Sequence, residues 1–300
     1  MPDLHADDLS FDERSGTSRR TALKLALGAG YAAAAGPLMA QSAITTASDG
    51  LEAGTITYLA AGVRVPAYMA KPRGKSNLPV VLVVQEIFGV HAYIADTCRR
   101  LARLGYLAIA PDLYLRQGNA REYSDIPKLL AEVVAKVPDA QVMADLDAAL
   151  DWAGANGGDA SRAAVTGFCW GGRITWLYAT SGKVKAGVAW YGRMTGTKTE
   201  LTPRHPVEVA GELKAPVLGL YGAKDAGIPL ESVEAMRQAL TVAGDAGNAA
   251  AKASKIELFA EADHGFHADY RPTYHKAAAE AGWQQLQEWF KANGVAPSAS

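Results

Sequence analysis

One stretch, Gly167-Phe168-Cys169-Trp170-Gly171, constrains this chain more than any other. It sets a sulfur nucleophile between two glycines in the form Gly-x-nucleophile-x-Gly. An apolar run, Ala163-Ala164-Val165-Thr166, precedes it. Gly172-Arg173-Ile174-Thr175-Trp176-Leu177-Tyr178 follows and can wind as a helix. Strand, tight turn and helix in that order make a nucleophile elbow. The turn forces its central residue into strained backbone geometry, and the flanking glycines let strand and helix approach without Cβ clashes. The cysteine is then held above a sheet, at a helix N-terminus whose dipole favours a thiolate. In a chain with 30 glycines the bare pattern also arises by chance. Its place between strand and helix is what makes it a signal.

The rest of the chain supplies the sheet. Residues 55–60 and 63–71 alternate as strands around an Ala-Gly turn, a hairpin signature. Residues 79–84 are an unbroken β-branched run, the mark of a strand buried on both faces. Helical periodicity covers 93–104, a region near 128–135, and 140–155. Further strands are predicted at 106–110, 184–190, 216–221 and 255–259, and helices at 230–243 and 274–293. The last helix places Trp283, Leu286, Trp289 and Phe290 on one face. Residues 193–214 read as irregular and 245–254 as a surface loop rich in alanine and glycine. Strands alternating with helices predict a mostly parallel sheet with helices on both faces, an α/β protein.

Composition narrows the partners. A net charge of −1 gives no basic field for nucleic acid. Two cysteines, Cys98 and Cys169, exclude a disulfide scaffold and a cysteine-rich zinc site, and each belongs to a different predicted element. No cofactor and no metal are expected; His264, His267 and His275 lack a companion carboxylate at ligand spacing. The N-terminal part is set apart. Residues 1–18 are polar and acidic, and Arg19-Arg20 then precede a mild apolar run over 25–35. That outline resembles a twin-arginine export signal. The run is too short and too weakly apolar for a stable membrane span. A leader over 1–48 and one domain over 49–300 are expected, with cleavage between Ala40 and Ser48, export to the periplasm, and a monomeric state. Gly28-Ala29-Gly30 is no dinucleotide loop, because no strand precedes it.

In open parallel sheets, ligands bind beyond the carboxyl ends of the strands. Glu86, Cys169, Asp225 and His264 all fall there. The elbow and the alternation together point to the α/β-hydrolase fold, in which the chain order is nucleophile, acid, histidine. Cys169, Asp225 and His264 obey it. His264 is preferred as base among six histidines, since it comes first after the last strand and Gly265 permits a tight turn. His267 is its rival, and His91 follows the Glu86 loop and could line the site. Asp263 and Asp269 sit too near His264 in sequence to approach it from an adjacent strand. The backbone N–H groups of Ile87 and Trp170 are, by position, the two oxyanion donors. Tyr191, with Trp190, could line the pocket or belong to the core.

Four motifs in this order resemble the dienelactone hydrolase family: Gln85-Glu86-Ile87-Phe88-Gly89-Val90, Pro111-Asp112-Leu113-Tyr114-Leu115-Arg116-Gln117, Gly167 to Gly172, and His264-Gly265-Phe266. The likeness spans about residues 55–293. It implies a carboxymethylenebutenolidase-like esterase that opens an unsaturated lactone through an acyl-thiol intermediate, with Cys169, Asp225 and His264 as triad. It also implies that Glu86 contacts the thiol at rest and that Arg116 holds the substrate carboxylate. The family's second arginine, four residues after the histidine, is here Ala268, and the nearest arginine is Arg271. A carboxylate beside a thiol raises its pKa and keeps it neutral, so an anionic substrate that redirects Glu86 would release the nucleophile. A general carboxylesterase or thioesterase, a non-catalytic binding protein on the same fold, and a thiol redox protein are the other readings. The last lacks a resolving cysteine.

Overall fold

The computed structural model describes residues 44–297. The leader and twin-arginine segment expected at the N-terminus lie, up to residue 43, outside the described residues.

Strands β1 (Leu51–Ala60) and β2 (Val63–Pro72) form the expected hairpin, antiparallel along its length. Its two turn residues, Ala61 and Gly62, both take positive φ, 47° and 78°. Such turns match the twist of the strands they join. Then come β3 (Leu78–Val84), β4 (Leu107–Pro111), β5 (Gly158–Phe168), β6 (Ala186–Trp190), β7 (Val217–Gly222) and β8 (Lys255–Phe259). They make one sheet in the order β1-β2-β4-β3-β5-β6-β7-β8. Every pairing from β4 to β8 is parallel, and only the β1/β2 and β2/β4 contacts are antiparallel. All seven residues of β3 are buried, as its unbroken apolar sequence requires.

Eight α-helices surround the sheet among the described residues: α1 (Ala92–Arg103), α2 (Ile126–Glu132), α3 (Asp139–Ala155), α4 (Trp170–Tyr178), α5 (Pro206–Val209), α6 (Leu230–Asp245), α7 (Ala249–Ala253) and α8 (Lys276–Ala292). The α/β-hydrolase architecture read from the sequence is thus present. None of these helices is long and apolar enough to cross a membrane.

Three local readings change. Residues 245–254 are no plain loop: α7 is a run of helix-forming alanines and a lysine, and the Asn248 side chain caps it by accepting the Ala251 N–H at 2.8 Å. Within 193–214, Pro206 opens the short helix α5, followed by a 3-10 turn over Ala210–Glu212. On α8, Leu286 and Phe290 are fully buried while Trp283 and Trp289 are only partly so.

The topology creates the site. β3 lies between β4 on one side and β5 on the other, so the chain reverses its direction across the sheet there. A crevice opens at such a point beyond the strand ends. Register then aligns the candidates. Val84 of β3 pairs with Gly167 of β5, and three residues further on come Ile87 and Trp170. Gly222 of β7 pairs with Phe259 of β8, and shortly after come Asp225 and His264.

Candidate active site

Cys169 stands at the elbow with φ 56° and ψ −114°, a strained conformation for a residue with a side chain. Its own N–H donates to the Trp190 carbonyl at 3.0 Å, and its carbonyl accepts the Gly172 N–H at 3.0 Å, which locks the turn. A Cβ on Gly167 would collide with the Gly171 carbonyl, so the two glycines are what let β5 and α4 meet. Cys169 is fully buried and free, as is Cys98 within α1.

The predicted base and its holder come together. His264 Nδ1 lies 2.7 Å from Asp225 Oδ2. Asp225 is held in turn, its Oδ1 accepting the N–H groups of Gly227 at 2.8 Å and Ile228 at 3.2 Å. Burial opposes charge on the His264 ring. The charges of Cys169 and Asp225 and hydrogen bonds to both outweigh it, raising the ring to about 10. The geometry also disposes of the rival residues. Asp263 accepts only the backbone N–H of His264, at 2.6 Å, and Asp269 pairs with Arg100 at 2.5 Å. His267 is turned to the Tyr93 hydroxyl at 2.5 Å, and His275 caps α8. The three histidines weighed as a metal set therefore diverge.

Ile87 and Trp170 occupy the positions expected of oxyanion donors, one in the turn after β3 and the other opening α4. The Trp170 ring meets Tyr114 edge-on, with centroids 4.9 Å apart. Tyr191 follows β6 directly, its ring edge-on to His264 with centroids 5.2 Å apart.

Glu86 and Arg116 both have partners that the resemblance did not name. Glu86 is fully buried, and its oxygens are taken by cations and donors other than the thiol. Oε1 accepts Arg271 Nη2 at 2.9 Å, Oε2 accepts the Tyr270 hydroxyl at 2.5 Å, and His91 Nε2 stands 3.4 Å away. Burial favours the neutral acid, but the Arg271 charge and the His91 and Tyr270 hydrogen bonds prevail and lower Glu86 to about 2. A buried carboxylate gains more from a guanidinium than from a neutral thiol, so the expected thiol contact is replaced by an arginine contact. Arg116 is engaged elsewhere: Nη1 and Nη2 grip Asp145 at 2.6 and 3.0 Å, and Nη2 also reaches the Ala60 carbonyl at 3.2 Å.

Arg271, unlike Arg116, is coupled electrostatically to Cys169. Its guanidinium is 3% exposed, lies over the rings of Phe88 and Tyr270, and is pushed above its ordinary pKa against the effect of burial by Glu86, Tyr270, Cys169 and Tyr191. Successive turns bring it back from seven residues beyond His264: Ala268 N–H donates to the Gly265 carbonyl at 2.8 Å and Arg271 N–H to the Ala268 carbonyl at 2.9 Å. Gly265, at φ 75°, is required there, since a Cβ would stand 2.7 Å from Arg271 Cδ. Counting along the sequence finds Ala268, because spacing alone does not show these turns.

The dienelactone hydrolase family model matches residues 65–294. The chain belongs to the dienelactone hydrolase family. It is 49% identical over 298 residues to a protein of Methylorubrum extorquens, covering 99% of this chain and 100% of that one. It is 55% identical over 267 residues to one of Escherichia coli K12, covering 88% and 96%. Both relatives are named as putative carboxymethylenebutenolidases. The crystal structure of a putative dienelactone hydrolase from Klebsiella pneumoniae superposes with a TM-score of 0.77 at 55% identity, covering 80% of this chain and 98% of that one. This family member is an α/β-hydrolase that acts on ester bonds.

Proposed function

We propose that the protein is a cysteine-dependent hydrolase that opens an unsaturated lactone, or cleaves a related carboxylic ester, through an acyl-thiol intermediate. The observation that carries this reading is the His264 ring, bonded at 2.7 Å to Asp225, with Cys169 near enough for its charge to act on the ring. A histidine so placed draws the proton from the thiol and leaves an imidazolium beside a thiolate.

The sulfur adds to the carbonyl carbon, and the new oxyanion takes the N–H groups of Ile87 and Trp170. The carbon–oxygen bond then breaks as His264 returns its proton to the departing oxygen, leaving the acyl group on Cys169. Water, giving its proton to His264, adds to the thioester and releases the acid with the thiol restored. Arg271 is the group suited to a substrate carboxylate. A substrate anion that takes the guanidinium weakens its hold on Glu86, which is the gating role proposed for that carboxylate.

Quenched intact-mass measurement during turnover of a slow aryl ester tests the intermediate. An acyl adduct is expected on the wild type and none on Cys169→Ala, whose turnover falls to background; full turnover by Cys169→Ala overturns the reading. Export of a monomer by the Arg19-Arg20 segment is part of the same proposal, checked by cell fractionation of wild type and an Arg19→Lys/Arg20→Lys variant.

A further inference from the structure

Tyr191 carries two costs at once. Its backbone has φ 38°, a left-handed conformation that is strained for a bulky residue. Its hydroxyl is fully buried without a well-formed hydrogen-bond partner, though Tyr93, Glu86 and Arg271 all act on it. A buried hydroxyl with unused hydrogen-bonding capacity is destabilising. The strained turn after β6 sets the ring edge-on to His264, and the charges of Glu86 and Arg271 both act on the hydroxyl.

Tyr93, from the first turn of α1, is fixed from behind. Its hydroxyl meets His267 Nδ1 at 2.5 Å, and both residues are 2% exposed. The His267 ring cannot tilt, because Trp190, Phe168 and Trp283 pack on it at centroid distances of 4.4, 5.4 and 5.6 Å. Burial and the charge of Arg100 lower His267 to about 3, against the pull of Glu86, so it is neutral at working pH and unsuited to act as an acid or base. An apolar pair would fill this aromatic layer without desolvating two polar groups. What the polar pair adds is direction: it fixes the Tyr93 oxygen, and with it the edge that Tyr93 turns toward Tyr191.

We propose that the Tyr191 hydroxyl binds the substrate carboxylate together with Arg271, and that Tyr93 and His267 are positioning residues that hold it there. This rests on the reading of the site as a cysteine hydrolase of carboxylate-bearing esters. The guanidinium supplies charge; the hydroxyl supplies a second, directional donor on the side of the nucleophile occupied by Tyr191. The ligand class is a short ester or lactone with one free carboxylate.

Two substrates with a common leaving group separate the roles: mono-4-nitrophenyl succinate, which has a free carboxylate, and 4-nitrophenyl butyrate, which has none. Tyr191→Phe is expected to raise KM for the half-ester about tenfold with kcat within about twofold, and so to lower the preference for the half-ester over the butyrate by about the same factor. Tyr93→Phe and His267→Leu should give the same signature at about threefold. His267→Asn, which keeps a polar atom near the Nδ1 position, should restore the wild-type KM. Tyr93→Phe loses only one oxygen and carries the test alone if His267→Leu does not fold. Equal effects on the two esters, or none on the half-ester, overturn the proposal. A wild type that shows no preference for the half-ester overturns the underlying reading and this proposal with it. A preference that is undiminished in Tyr191→Phe overturns the proposal alone.

Discussion

Two arginine–carboxylate pairs lie beyond neighbouring strand ends, and in the sequence they look equally suited to recognise an acid. Arg116 follows β4 and is gripped by Asp145; Glu86 follows β3 and is gripped by Arg271. What separates them is the company they keep. The Arg116 fork closes on both Asp145 oxygens and on the Ala60 carbonyl, while the Tyr58 hydroxyl donates to the Asp145 backbone carbonyl at 2.9 Å. That pair ties the loop after β4 to α3 and to the end of β1. Arg271 instead has its charge reinforced by Cys169 and Tyr191, the groups at which chemistry would occur. Under the proposed function, the same kind of ion pair is a brace in one place and a recognition element in the other, and neighbours decide which.

The largest effect should come from Arg271. Removing a buried, hydrogen-bonded charge that meets an anionic ligand typically costs 2–5 kcal/mol. Arg271→Met should therefore lower kcat/KM for a carboxylate-bearing ester by roughly 100-fold or more, with a far smaller loss on a neutral ester. Arg116→Met should leave the ratio between the two esters unchanged. Steady-state kinetics on both variants reads the difference directly, and a loss of discrimination in Arg116→Met would return the recognition role to that residue.

Acid sharpens the contrast at the Glu86 end. The folded state holds Glu86 near 2, below its ordinary 4.5, so the unfolded chain binds the extra proton first as pH falls. The stabilisation from Glu86 is fully present above about pH 4.5 and is lost as pH falls toward 2. His267 works in the same direction over a higher window. Its folded value of about 3 lies below the ordinary 6.5, so stability falls as pH drops from 6.5 toward 3. Denaturant melts at stepped pH should show Glu86→Gln flattened between pH 4.5 and 2, and His267→Asn flattened between 6.5 and 3. A wild-type profile that both variants reproduce would remove these groups as the cause.

These contrasts also mark what the sequence could carry. The elbow, the order of Cys169, Asp225 and His264, and the buried run of β3 were legible because each is a local pattern with one physical solution. Ile87 and Trp170 are read from their positions in the fold, and parallel register sets both three residues beyond the paired Val84 and Gly167. Arg271 was not legible at its offset, because two successive turns after Gly265 bring it back from seven residues beyond His264. The partner of Glu86 was misjudged for a related reason: resemblance names a residue, and only packing shows which cation reaches it. The Tyr93–His267 couple joins residues 174 positions apart, and no local signal marks it. The alanine helix α7 was passed over because the glycines around it read as loop.

The smallest effect should belong to the brace, provided both halves are removed together. Arg116→Met alone leaves the Asp145 carboxylate, 1% exposed, without its cation. That should cost about 2–3 kcal/mol, toward the low end for buried pairs because the Arg116 side chain is 21% exposed. Arg116→Met/Asp145→Leu removes both charges and refills the space with apolar volume, so its stability should return to within about 1 kcal/mol of wild type. Selectivity between anionic and neutral esters should stay as in the wild type throughout. The parallel replacement at the other pair, Glu86→Leu/Arg271→Met, should also fold but lose that selectivity, because there the charges face the nucleophile. If the double variant at 116 and 145 recovers stability yet loses preference for the carboxylate ester, the two pairs share one function and the division drawn between them fails.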